Sequence, residues 1–170
     1  MGIDITFIEN YFDEEKVENI LAIIIGTISL SFSLIFLFII KYSYFKGMAI
    51  PLLLIGTIQI TVGIVVATRS SEDKIRTQQY ILYNHQKIKT EEIPRMEKVM
   101  NNFVIYKWIE IILIILSIIL LLVFYKSSQT FWKGLALGLL IQTSIVLSLD
   151  IIAEKRGEIY NNNLHYMNCR

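Results

Sequence analysis

Four runs of about twenty residues, almost free of charge, decide what this chain can become. They cover residues 20–40, 48–68, 106–125 and 134–152 of 170. A bilayer core is about 30 Å thick and takes about 20 helical residues to cross. Lipid offers no hydrogen bonds, so each run must satisfy its own backbone as a helix, whatever its content of Ile and Val. The expected fold is therefore all-α: a single polytopic membrane domain over residues 1–170 with four transmembrane helices. Composition agrees. Charged residues make up 18% of the chain, where a soluble domain carries about 25%, and the mean hydropathy is +0.54.

The connections pair the spans. KYSYFKG and KSSQTFWKG are short, with Lys near both ends. Each closes a tight hairpin, joining 20–40 to 48–68 and 106–125 to 134–152. The connection between spans two and three is long and polar. In it Ile75, Gln79, Leu82 and Tyr83 recur at helical spacing behind Ser71, a capping residue type. Residues 71–89 thus read as an amphipathic helix on or above the membrane surface. Pro94 interrupts that pattern. Met96, Val99, Met100 and Phe103 resume it and lead into the third span, so the helical connection covers about 71–101. Pro51 reads as a first-turn residue of the second span, where a missing N–H is tolerated.

The two hairpins resemble each other. Phe45-Lys46-Gly47 matches Trp132-Lys133-Gly134 at an offset of 87. The same offset sets Arg69 on Arg156, Thr57 on Ser144 and Thr61 on Ser148. Gln59 and Gln142 are one turn out of that register. Two hairpins of the same sense would make a parallel duplication.

The two short connections hold four Lys and no acid, and the other side holds the remaining twelve Lys and Arg with all fifteen acids. Orientation follows Lys and Arg near span ends and largely ignores acids, which puts the termini and the long connection in the cytoplasm. The bias to Ile, Asn and Lys points to a low-GC bacterium, hence to a bacterial inner membrane. The N-terminal MGIDITFIENYFDEEKVEN is acidic, unlike a secretory signal. Met1-Gly2 with Thr6 fits the short myristoylation pattern, a weak signal in a chain already anchored by its spans.

Charge at the span ends is the remaining signal. Glu110 sits in the first turns of the third span. Asp150 lies near the end of the fourth, about 24 Å along the helix from Gly134 at 1.5 Å per residue. A carboxylate costs about 2.5–3.5 kcal/mol at the bilayer centre and less at the interface. Glu154 shares the face of Asp150, beside the small residues Ala153 and Gly157. Lys155 and Arg156 turn away, toward headgroups. Arg69, Lys107, Glu110, Asp150, Glu154 and Arg156 then fall in one charged layer. Ion pairs are expected in it, Arg69 with Asp150 or Glu110 foremost, tying helix ends together. Gln59 and Gln142 lie deeper, where interhelical hydrogen bonding is the common role.

Catalytic signatures are missing: no HExxH, no GxSxG, no Gly-rich phosphate loop. His85 and His165 stand alone and Cys169 is the one cysteine, so no metal, cofactor or internal disulfide is expected. Ser29, Ser31 and Ser33 have no basic partner in their span, which argues against a serine nucleophile. Net charge is +1 with no basic stripe, which argues against nucleic acid. Residues 91–92 and 95–98 read as a solvated helix face, and 161–163 as a loose tail.

The expected function is that of a non-catalytic membrane subunit. It would be a partner, regulatory or immunity-type protein that binds another membrane protein, or its own copy, within the lipid bilayer. The second expectation is a small ion or lipid transporter, channel or membrane enzyme that uses Glu110, Asp150 and Arg69.

Overall fold

The structure, a computed structural model, describes residues 6–168; Met1, Gly2 and Cys169 lie outside them. It consists of α1 Thr6–Phe38, α2 Ser43–Tyr83, the one-turn α3 His85–Lys87, a π-helical turn Ile88–Glu92, α4 Ile93–Phe124 and α5 Thr130–Asn168. The long helices α1, α2, α4 and α5 contain the four apolar runs and span the membrane. Each is longer than a crossing requires. α2 has 41 residues, about 60 Å at 1.5 Å per residue, against about 30 Å of hydrocarbon. The turns at 39–42 and 125–129 close the two hairpins tightly. The surplus length therefore emerges on the opposite side, where residues 6–19, 70–101 and 153–168 form an extramembrane head.

The connection from α2 to α4 is not a separate surface helix. Residues 71–83 are the end of α2, and the chain turns at Asn84, whose backbone (φ −154°, ψ 76°) leaves the helical region. Ser71 is interior to α2 and caps nothing. Pro94 sits in the first turn of α4, where its missing N–H costs no hydrogen bond. The faces reverse as well. Ile75, Leu82 and Tyr83 are 58%, 56% and 84% exposed, whereas Ser70, Asp73, Thr77 and Ile81 are buried. The polar face turns inward because other helices bring partners for it. Residues 161–163 are helical too, because Tyr160 and Leu164 fix α5 in the head core. Pro51 lies inside α2, which begins at Ser43.

The head core joins Ile8, Tyr11 and Phe12 of α1 with Ile81, Ile88, Ile93, Met96, Tyr160 and Leu164. Tyr11 and Tyr160 stack with ring centroids 4.0 Å apart. Burying a large apolar side chain stabilises by about 1.5–3 kcal/mol, so the head supports itself outside the lipid.

Within the membrane α1 packs on α2 and on α5, α2 packs on α5, and the α4 backbone approaches no long helix but α5. α2 and α5 cross near their first turns. A Cβ on Gly47 would collide with the Phe131 carbonyl, and one on Gly134 with the Tyr44 carbonyl. The partners keep the offset of 87 in both directions, Gly47 to Gly134 and Tyr44 to Phe131. The two similar turns thus meet as reciprocal halves of one contact. The symmetry ends there, because the α1 backbone reaches α5 but the α4 backbone does not reach α2.

Candidate functional site

Polar side chains gather at two levels. Deep in the membrane, Gln142 of α5 bridges α1 and α2. Its Nε2 donates to Gln59 Oε1 at 2.6 Å, and its Oε1 accepts from the Ser29 hydroxyl at 3.0 Å. Nearby, Ser33 donates to the Ala49 carbonyl at 2.8 Å. These groups are buried, and each bond spares the helices an unpaired polar atom in hydrocarbon. Gln59 and Gln142 thus meet, and the one-turn slip of their register is what lets them do so.

The charged layer assembles differently from the sequence expectation. Arg69 pairs with neither Asp150 nor Glu110. Its Nε lies 3.1 Å from Asp73, one turn along the same helix. The physical reason is the packing order: Glu110 and Asp150 belong to the α4–α5 contact, and the α4 backbone stands clear of α2, which α4 meets only in the head, through side chains such as Arg95. Lys107 crosses to Glu154, with Nζ 2.5 Å from Oε1 and 2.6 Å from Oε2. Glu110 is 7% exposed, and its carboxyl stands beside that of Asp150. Asp150 and Glu154 do share a face, directed at α4. Gly157 continues it, with Met100, Met96 and Phe103 closing over it. Arg156 does not reach outward to headgroups. It is buried and bonds Glu18 of α1.

A third group escaped the sequence reading. Asp73 is 2% exposed and receives Arg69, Arg76 at 2.8 Å and Arg95 at 3.7 Å. Arg95 also grips Glu92 through Nη2 at 2.6 Å and Nε at 2.9 Å. Tyr160 donates to the same Glu92 at 2.8 Å. Ser70 donates to Glu15 at 2.5 Å, and Tyr11 to its other oxygen at 3.3 Å. Burial would lower the Arg95 guanidinium, but the Glu92 hydrogen bonds and charge outweigh it and raise it. Burial, and then Glu92, raises the Tyr160 phenol. Burial, and then Glu15, raises that of Tyr11. All three stay protonated at any physiological pH, so this cluster is a fixed clamp. The pairing of Glu92 with Arg95 follows i, i+3 spacing, as a solvated face would, but Glu92 is 1% exposed. Tyr11, Met96 and Tyr160, large side chains among charged neighbours, were the available signal for a core there.

Chemically, the arrangement neutralises itself. Asp73, Glu92, Glu154 and Glu18 each have a cationic partner within the chain. Buried Glu15 is held by hydroxyls alone, and in the carboxyl pair Glu110–Asp150 no Lys or Arg bonds either one among the described residues, while Glu110 Oε2 is buried with no donor. His165 and Glu97 stand 4.0 Å apart on the head surface, both about half exposed. No protein family, no curated protein and no solved structure matches this chain.

Proposed function

We propose that this chain is a non-catalytic membrane subunit, of partner, regulatory or immunity type, whose head binds another integral membrane protein. The observation that carries the reading is the outer face of α2. Ile75, Leu82 and Tyr83 are more than half exposed, and Ile75 stands about 9 Å beyond Arg69 at 1.5 Å per residue. Lipid covers apolar side chains of the spans, but it does not reach this face. Apolar groups aligned outside the bilayer on a rigid, self-supporting helix suit a protein surface. The internal pairing of the charges supports the same reading, since it leaves little for substrate. In this proposal the head and both termini face the cytoplasm of a bacterial inner membrane. The test is purification of the tagged chain in mild detergent beside an Ile75→Glu/Leu82→Glu variant. A partner held in stoichiometric amount by the wild type and lost by an equally abundant variant supports the reading. Identical co-purification by both defeats it.

One observation favours a second reading, a small proton or cation transporter. Two carboxyl groups in contact, with no basic residue between them, hold a proton or cation in common. Four spans are few for a path, so this reading requires a dimer. Glu110→Gln/Asp150→Asn should then abolish transport in proteoliposomes while leaving the fold intact. Retained transport, or no transport by the wild type, removes this reading.

A further inference from the structure

A cleft of about 390 Å³ opens between α1 and α5 at the base of the head. Its walls include Tyr11, Glu14, Glu18, Ile152, Arg156 and Asn163. Ile152 ends the fourth apolar run and Glu18 precedes the first, so the cleft begins where hydrocarbon gives way to headgroups. From there it extends outward about 16 Å, the rise from Ile152 to Asn163 at 1.5 Å per residue. Headgroups occupy the layer that widens a bilayer from about 30 to 40–45 Å, and the inner part of the cleft lies in that layer.

The chemistry of the walls is specific. Arg156 is 9% exposed, with its guanidinium over the Tyr11 ring at 5.4 Å. One side of it bonds Glu18. Its Nε is buried and has no acceptor. A buried guanidinium donor without an acceptor is rare and costly unless an oxyanion completes it. Glu14 stands exposed on the same wall, and no cation pairs with it among the described residues. Burial raises the Glu18 carboxyl, against the pull of Arg156. The apolar rim at Ile152 continues into lipid.

We propose that this cleft binds the headgroup of an amine-bearing phospholipid of the phosphoethanolamine class, with the phosphate on Arg156 and the ammonium on Glu14 and Glu18. A phosphate alone satisfies Arg156 but leaves Glu14 unmatched. An anionic headgroup with no amine does the same. The acyl chains descend along Ile152 into the bilayer, which makes the ligand a lipid and not a soluble phosphate ester. This inference is independent of the partner reading, since it uses the α1–α5 cleft and not the outer face of α2.

The test is native mass spectrometry of the full chain in detergent, titrated with phosphatidylethanolamine, phosphatidylglycerol or soluble phosphoethanolamine. The expected result is one phosphatidylethanolamine per chain, held about tenfold tighter than phosphatidylglycerol, one extra charge-assisted contact's worth. Glu14→Gln, an exposed change that leaves the core alone, should cut that preference to within about threefold. Arg156→Gln should abolish retention of both lipids. Equal retention of the two lipids by the wild type overturns the proposal, as does an unchanged preference in Glu14→Gln. Displacement of the lipid by equimolar soluble phosphoethanolamine overturns the lipid assignment.

Discussion

Gln142 donates to Gln59 across the α2–α5 contact at 2.6 Å, and it is the better satisfied of the two. It makes a second bond, to Ser29, whereas Gln59 leaves its own Nε2 unpaired. The two glutamines are therefore unequal. Gln142→Leu removes two interhelical bonds and strands two partners, at a cost of about 1–2 kcal/mol. Gln59→Leu removes one bond and one orphan, and should cost less. The double variant should fall short of the sum of the singles. Unfolding in mixed micelles of increasing SDS reads all three, and equal costs for the two singles would count against this geometry.

The crossing of α2 and α5 rests on bare backbone. A methyl group at Gly134 meets the Tyr44 carbonyl, while one at Gly157 meets the flexible Met100 thioether at 3.0 Å. Overpacking against backbone costs about 1–3 kcal/mol or more. Adding a methyl in a helix interior otherwise stabilises by about 0.5–1 kcal/mol. Gly134→Ala should therefore lower the amount of folded protein in the membrane, and Gly157→Ala should leave it level or raised. Abundance and thermal aggregation temperature of the two variants decide the matter.

Asp73 holds three arginines. Removing one partner from a fully buried ion pair costs about 3–5 kcal/mol. Here Arg69 and Arg76 are 46% and 43% exposed and Arg95 keeps Glu92, so the loss is smaller, but Asp73→Ala should still loosen the head. The control is Asp13→Ala, which breaks a pair with Lys74 whose Asp side is 63% exposed; such pairs contribute about 0–1 kcal/mol. Protease cleavage near Asn84 in the first variant but not the second is the expected result.

The head should fail in alkali. The folded Tyr160 phenol is raised by burial and by Glu92, so it stays protonated where an unfolded tyrosine ionises near pH 10. Its contribution is full below that value and declines as pH rises above it, because only the unfolded chain gives up its proton there. Phenolate absorbance should appear together with loss of head structure, not before it. Tyr160→Phe should flatten the alkaline decline. Phenolate forming in an intact head would disprove the burial argument.

The spans and both hairpins were legible because lipid imposes one rule, a charge-free run of fixed length per crossing. The motif match at Gly47 and Gly134 could be seen as well, and the structure gives it a physical meaning in a shared contact. The head was not legible. Its buried α2 face reads Ser70, Asp73, Thr77, Ile81, and polarity suggested solvent. Only the arrival of Arg95, Glu15 and Tyr160 from distant segments makes that face an interior. Arg69 was misassigned for a related reason: membership in a layer is set by helix length, but partners within it depend on which helices touch. Nothing local in the sequence says that the membrane part of α4 keeps away from α2.

That separation has a consequence for how the chain is made. A ribosome releases α1 and α2 first, and they can pair at once. α4 emerges next and finds no packing partner in the membrane, with Glu110 and Lys107 in the first turns of its apolar run. It must wait in lipid until α5 arrives, bringing Asp150 for Glu110 and Glu154 for Lys107. α5 therefore locks both hairpins, since among the four long helices its backbone alone approaches all the others. A chain stopped before residue 130 would keep the α4 contacts of the head, such as Arg95 with Asp73, but would leave the third span without a neighbour in lipid, a target for membrane quality-control proteases.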